Sequence, residues 1–185
     1  MGATPKGEIM LRREALFLAP GLLVPGLRLA GSGCAQAQAA APDGAVESRV
    51  ILSVSGRVAP AEGGAHPFSL SRLEALGLVA LRTETPWTQG PQNFSGVPLE
   101  RLLAAVQAGG ETLRCTAINR YQIVVPREDG ARHGAVLATR LDGEPMRVRD
   151  RGPVWLVYPW SERPALQRPL FYERSIWQLR SIEAV

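Results

Sequence analysis

The stretch from Leu137 to Pro159 constrains the fold of this chain more than any other segment. It places Asp142-Gly143 between two apolar arms, and this pair is a strong hairpin signal because both central residues of a type I′ turn need a positive φ. An arginine-rich strand end then leads into Gly152-Pro153 and an aromatic strand. The sequence therefore predicts a hairpin beside a pocket that suits an anion or a flat ring.

The first 37 residues have the pattern of a cleavable export signal. Arg12 and Arg13 precede an apolar run from Ala15 to Ala30, and small residues follow that run. Prolines and an arginine interrupt the run, which favours a removable signal over a permanent anchor. The paired arginines fit a twin-arginine signal, and the general export route stays open. We predict a periplasmic protein in which residues 38–48 form an Ala-rich linker.

The charge balance beyond residue 37 argues against a nucleic-acid partner. This part of the chain has no lysine, and it contains seventeen arginines and fifteen acidic residues. It has neither a basic stripe nor a recognisable nucleic-acid-binding module. Its one cysteine, Cys115, has no partner for an internal disulfide, and its strand context predicts a small buried side chain. His66 and His133 lack a second ligand at metal spacing and do not predict a zinc site.

The apolar pattern predicts one α+β domain, residues 49–185, dominated by sheet. A capping pattern over Ser71 to Glu74 predicts a short helix, and the leucine spacing from Leu99 to Val106, after a proline, predicts the best helix in the chain. Long loops are predicted over 83–97 and 159–174. The predicted strands lie at 50–58, 78–82, 113–118, 121–125, 136–139, 146–149, 154–157 and 176–182.

Four segments follow the order found in the sulfite-oxidase-like molybdopterin-binding fold, which this chain resembles. Enzymes of that family bind molybdenum through a cysteine in the loop before the main helix, but here that loop, residues 83–90, contains no sulfur. A similar run, Cys115 to Arg120, falls after the helix instead. Because no Thr, Glu or Trp replaces a thiolate on molybdenum, we expect no metal. The four segments are Gly96–Leu103, Asn119–Pro126, Leu137–Pro159 and Ile176–Ile182.

The chain is similar to the small exported proteins of this fold that have a Thr-Pro-Trp-Thr loop, an Asn-x-Tyr strand and an Arg-Asp-x-Gly-Pro run. These patterns occur here at 85–88, 119–121 and 149–153. The resemblance implies a non-enzymatic, periplasmic protein that binds a reduced pterin and docks on the sensor region of a membrane-bound cyclic-di-GMP enzyme. Two alternatives stay open: a molybdopterin-dependent oxidoreductase with an atypical metal site, and an interaction module that has lost the pocket.

A pteridine is a flat, polar bicycle, so it needs an aromatic face for stacking and hydrogen-bonding groups around its edge. Trp87 is the predicted stacking residue, with anchoring of its loop in the core as the alternative. Asp150 is predicted either to accept two hydrogen bonds from the guanidine-like edge of the pterin or to pair with a neighbouring arginine. The predicted pterin contacts are Thr85, Trp87, Thr88, Gln92, Asn119, Tyr121, Asp150 and Arg151.

The remaining aromatic residues divide between the core and a predicted partner surface. Trp155 and Trp177 lie in apolar strands and are predicted to belong to the core. The 159–174 loop is predicted to expose three aromatic side chains to the partner, because exposed aromatics are typical of interfaces. These residues are Trp160, Phe171 and Tyr172.

Overall fold

The structure is a computed structural model that describes residues 49–185. The predicted export signal, residues 1–37, and the linker, residues 38–48, lie outside the described residues. The described part forms ten strands, four short α-helices and three 3-10 turns, so its class is α+β and sheet-rich. No helix within residues 49–185 is both long and apolar enough to cross a membrane.

The strands form two sheets. The first has the order β2-β1-β10-β5-β6 and contains the parallel pair β1–β10. The second has the order β3-β4-β7-β8, and β9 also pairs with β7, at residues 136–138, ahead of the residues that pair with β8. The first sheet consists of β1 (Val50–Gly56), β2 (Ala65–Ser69), β5 (Thr112–Ala117), β6 (Gln122–Pro126) and β10 (Leu179–Ala184). The second consists of β3 (Val79–Thr83), β4 (Gln92–Pro98), β7 (Val136–Leu141), β8 (Glu144–Pro145) and β9 (Trp155–Val157).

Four helices join these strands: α1 (Leu70–Glu74), α2 (Leu99–Ala105), α3 (Glu128–His133) and α4 (Pro169–Arg174). Helix α2 was predicted from its leucines, and three of them are buried because they share one face of the helix. Helix α1 begins earlier than its capping pattern suggested. Ser69 caps it by accepting a hydrogen bond from the backbone N–H of Arg72, at 3.2 Å.

The predicted hairpin forms at Asp142-Gly143. These residues adopt φ angles of +50° and +85° and join β7 to β8, as the Asp-Gly pair indicates. The second arm is shorter than expected, because only Glu144 and Pro145 pair with β7. The chain then leaves the sheet and forms a 3-10 turn over Val148–Asp150, so the predicted strand over 146–149 is wrong.

Four other segments differ from their predictions. The predicted loop over 83–97 contains strand β4, which is central in its sheet and requires a glycine at position 96, where a Cβ atom would collide with the backbone of β7. The 159–174 loop contains a 3-10 turn and helix α4. Strand β2 and helix α3 were not predicted, because their Gly- and Pro-containing sequences lack a clear apolar period.

Candidate functional site

Trp87, in the turn after β3, lies at the centre of a group of aromatic side chains. Its ring centroid is 5.3 Å from that of Trp177 and 5.9 Å from that of Trp155. The ring centroids of Trp160 and Tyr172 are each 6.2 Å from that of Trp87, and these ring pairs are tilted or edge-to-face. Such contacts add to the stability that burial supplies. We call these five residues the aromatic cluster.

Arg151 fixes the position of the Trp87 backbone. Its Nη2 atom donates a hydrogen bond to the Trp87 carbonyl at 2.7 Å, and its guanidinium carbon lies 5.4 Å from the ring centroid of Trp155 and 5.8 Å from that of Trp177. On the other side, the backbone N–H of Trp87 donates to the Thr85 hydroxyl at 3.2 Å. Arg151 is therefore a positioning residue for the loop that carries Trp87.

A cavity of about 300 Å³ opens beside the aromatic cluster. Four aromatic rings, an amide and a carboxylate line it, and its lining residues come from three chain segments. We call it the Trp87 cavity. Its lining residues are Trp87, Ala117, Asn119, Tyr121, Tyr172, Glu173, Ser175, Ile176 and Trp177.

The cavity combines aromatic faces with groups that can bind the edge of a ring. Asn119 is exposed, and its Oδ1 atom accepts a hydrogen bond from the backbone N–H of Tyr121 at 3.0 Å, which leaves its amide group available as a donor. Tyr121 is 49% exposed and presents its ring to the same opening. Small-molecule sites are commonly of this kind, with mostly apolar walls and a few polar groups.

The structure brings three of the eight predicted pterin contacts to this cavity: Trp87, Asn119 and Tyr121. Thr85 and Thr88 do not line it. Their hydroxyl groups are 2.8 Å apart and bond to each other, so they stabilise the turn instead.

Gln92 and Asp150 also lie away from the Trp87 cavity. The side-chain amide of Gln92 donates to the carbonyls of Gln89 and Gly90, at 2.8 and 3.2 Å, and so closes its own loop. Asp150 is exposed, with its Oδ2 atom 3.6 Å from the Nε atom of Arg149, which is the salt-bridge alternative.

Asp150 instead lines a second, larger cavity of about 800 Å³ on another face. No aromatic side chain of the described residues lines this cavity, so these residues offer no face for stacking a ring. Its walls carry three arginines, two acidic residues and several exposed apolar side chains. We call it the arginine groove and define it by Arg49, Val50, Ile118, Arg147, Val148 and Arg180.

The predicted partner surface in the 159–174 segment is wrong for two of its three residues. Trp160 is 1% exposed and Phe171 is 6% exposed, so neither can contact a partner. Both are buried because the segment folds back onto Tyr158, whose ring lies 5.8 Å from Trp160 and 5.5 Å from Phe171. Tyr172 is half-buried and lines the Trp87 cavity.

Helix α4 is held in place by a buried ion pair that the sequence did not reveal. Asp129 is fully buried and accepts hydrogen bonds from Arg174, at 3.1 Å, and from the Tyr158 hydroxyl, at 2.7 Å. Burial raises the pKa of Tyr158, and the negative charge of Asp129 raises it further, so Tyr158 stays a neutral donor. Because α4 carries Tyr172 and Glu173, this pair positions one wall of the cavity.

Sequence reasoning missed Trp177 and Glu173 as cavity residues. Trp177 was assigned to the core, and it does pack there with Trp155, but it is only half-buried and its free side faces the cavity. Apart from its charge, no sequence feature indicated Glu173 as a cavity residue, because it lies in a segment predicted to be a loop. The other tryptophan assigned to the core, Trp155, is 1% exposed as expected.

The sulfur chemistry of the described residues does not suit molybdenum at this cavity. Cys115 lies in β5, is 1% exposed and does not line the Trp87 cavity. Burial raises the pKa of its thiol to about 12, so it stays protonated near neutral pH and cannot act as a thiolate ligand. Within residues 49–185, no group of three His, Cys, Asp or Glu side chains is arranged to hold a metal ion.

Comparisons with known proteins leave the family undetermined. No protein-family model matches the chain, and a search of curated proteins found no match. The function must therefore be inferred from the residues of the site.

Proposed function

We propose that this protein is a periplasmic, non-enzymatic receptor for a reduced pterin, with a fold of the sulfite-oxidase-like type. The observation that carries the proposal is the convergence of Trp87, Asn119 and Tyr121 on one cavity of about 300 Å³. These three residues were selected from sequence because a pteridine needs a ring face and polar edge contacts. They come from two segments more than thirty residues apart, and the meeting of these segments at one opening supports a common ligand.

The shape and chemistry of the cavity suit a bicyclic ring. Its volume lies near the lower limit of about 300 Å³ for small-molecule sites, which fits a pteridine better than a large cofactor. Trp87, Tyr172 and Trp177 offer aromatic surface, and stacking on such surface tolerates any flat heterocycle. Asn119 supplies a donor at the rim. This cavity also argues against the alternative of an interaction module without a pocket.

The alternative of a molybdenum oxidoreductase has no support in the cavity. The enzymes of the similar family bind molybdenum through a cysteine thiolate, and the thiol of Cys115 is buried in β5 with a raised pKa. The proposal of a sulfite-oxidase-like fold rests on the order of the four similar segments. Two of these segments, 119–126 and 176–182, contribute lining residues to the cavity, and so does the 83–90 loop.

The partner in this proposal is the periplasmic sensor region of a membrane-bound cyclic-di-GMP enzyme. Because Trp160 and Phe171 are buried, we propose that the arginine groove is the docking face instead. Three of its apolar residues are unusually exposed: Val50 by 53%, Val148 by 44% and Ile118 by 40%. Its arginines form no ion pair with any residue between 49 and 185, so they can pair with acidic groups of a partner.

Two chain segments connect the groove to the Trp87 cavity. Ile118 lines the groove and its neighbour Asn119 lines the cavity. In the same way, the turn that carries Val148 leads to Arg151, which binds the Trp87 carbonyl. A ligand that shifts either segment can change the groove, and a ligand alters partner binding only through such a difference between states.

We predict that Val148→Asp abolishes capture of the membrane partner and leaves pterin affinity unchanged. The substitution puts a charge in the apolar part of the arginine groove, whereas the Trp87 cavity does not include this residue. Val124→Asp is the matched control, because Val124 is 54% exposed and lies outside the groove. The measurement is a pull-down from native membranes with and without tetrahydropterin. If both variants capture the membrane partner equally well, the arginine groove is not part of the interface.

The direct test of the pterin proposal is the ligand content of the protein itself. Small molecules released from protein purified from the periplasm should include a reduced pterin, without stoichiometric molybdenum.

A further inference from the structure

Among residues 49–185, Glu173 is the one acidic residue that lines the Trp87 cavity, and no arginine, lysine or histidine of this part lines it. Its side chain is exposed to solvent at the opening, and its carboxylate forms no ion pair with any residue between 49 and 185. Arg151 reaches the aromatic cluster from outside the lining, and it is already bound to the Trp87 carbonyl. The cavity is therefore aromatic with an acidic edge.

The two residues that follow Glu173 are held in place. Arg174 is anchored to the buried Asp129, and Ser175 donates a hydrogen bond to the carbonyl of Leu156 at 2.6 Å while it accepts one from the indole N–H of Trp155 at 3.0 Å. These contacts hold the end of α4 against the core. The carboxylate of Glu173 is thus presented at the rim from a rigid support, although the side chain itself stays mobile in water.

We propose that Glu173 is the specificity residue of the Trp87 cavity and accepts hydrogen bonds from the 2-amino and N3–H groups of the pterin. This inference rests on the proposed function. A carboxylate has two acceptor oxygens in one plane, and the 2-amino-4-oxo ring offers two parallel donors with matching spacing, so the pair is bidentate like an arginine–carboxylate pair. Asp150 was expected to do this from sequence, but it lines the arginine groove instead.

The lining also disfavours phosphorylated pterins. A phosphate ester would place its negative charge on the C6 side of the ring, and none of the lining residues between 49 and 185 is a cation that could pair with it. The ligand class is therefore a phosphate-free 2-amino-4-oxopteridine. Its 2-oxo counterpart, a lumazine, places a carbonyl opposite the carboxylate and is expected to bind more weakly than the pterin.

The test compares two ligands on two proteins by calorimetric titration. Glu173→Gln should weaken binding of tetrahydropterin about tenfold, because a charged acceptor pair becomes an amide with one donor facing another donor. The affinity for tetrahydrolumazine should stay unchanged or rise, since the amide can donate to its 2-oxo group. Glu162→Gln is the matched control, because Glu162 is an exposed acid nearby in sequence that does not line the cavity.

Each outcome bears on one of the two proposals. An equal effect of Glu173→Gln on both ligands, or no effect on either, would overturn the role of Glu173 while the pterin site stands. Failure of the wild-type protein to bind either ligand would overturn the proposed function and this inference with it. Tighter binding of 6-hydroxymethylpterin phosphate than of its unphosphorylated form would also overturn the proposed selectivity.

Discussion

Replacement of Asp129 by alanine is expected to lower the free energy of unfolding by about 3–5 kcal/mol, because removing one partner of a buried ion pair leaves the other charge uncompensated. The side chain of Asp129 is fully buried, and that of its partner Arg174 is only 17% exposed. The substitution also removes the acceptor of the buried Tyr158 hydroxyl. Helix α4 should then lose its anchor, so pterin affinity should fall together with stability.

The measurement is chemical denaturation of the wild-type and variant proteins. Glu183→Ala is the control, because the Arg114–Glu183 pair is of similar length, at 2.7 Å, but both side chains are about half exposed. Surface pairs of this kind contribute about 0–1 kcal/mol, so the control should unfold almost like the wild-type protein. If Asp129→Ala lowers the free energy of unfolding by less than about 3 kcal/mol, the buried pair does not anchor α4.

Replacement of Trp87 by alanine should lower pterin affinity by about 1–3 kcal/mol, as loss of one aromatic stacking partner does for nucleic-acid bases. Because Trp87 also contacts the four other rings of the aromatic cluster, this variant should be less stable as well. The two effects can be separated with Trp87→Phe. Phenylalanine keeps an aromatic face, so it should recover most of the affinity even where the smaller ring leaves part of the cluster unfilled.

Affinity is measured by calorimetric titration with tetrahydropterin below the unfolding temperature of each variant, and stability by denaturation of the ligand-free protein. Unchanged pterin affinity in a folded Trp87→Ala protein would assign Trp87 to the core alone. Anchoring in the core was the alternative prediction for Trp87. In the structure, Trp87 packs on the aromatic cluster and also lines the Trp87 cavity.

The parts of the fold that could be predicted are those with a strong local signal. The Asp142-Gly143 turn needs two positive φ angles, and the leucines of α2 repeat at helical spacing, so neither depends on distant residues. Helix α3 had no such signal. Its sequence, EDGARH, looks like an exposed polar turn, but Asp129 is buried because Tyr158 and Arg174 provide hydrogen-bond donors from far along the chain. Gly130 is buried against the backbone of Glu100 in α2.

The residues of the candidate site also divide into those that the sequence indicates locally and those that depend on distant packing. Trp87, Asn119 and Tyr121 could be found because residue type and segment order were enough to select them. Glu173 and Tyr172 could not be, since their place at the cavity depends on the packing of α4, which the Asp129–Arg174 pair fixes. Asp150 was misplaced because the 3-10 turn after β8 carries it into the arginine groove, where a continued strand had been expected.

Small-molecule and metal analysis of one sample tests the central claim most directly. The protein is produced in its native host, purified from a periplasmic extract under anaerobic conditions, denatured, and divided for mass spectrometry and for elemental analysis. We expect a reduced, phosphate-free pterin at a substantial fraction of one molecule per chain, and molybdenum far below that level. A Trp87→Ala sample prepared in parallel should contain much less pterin. About one molybdenum per chain, or the absence of any pterin together with no uptake of added tetrahydropterin, would contradict the account.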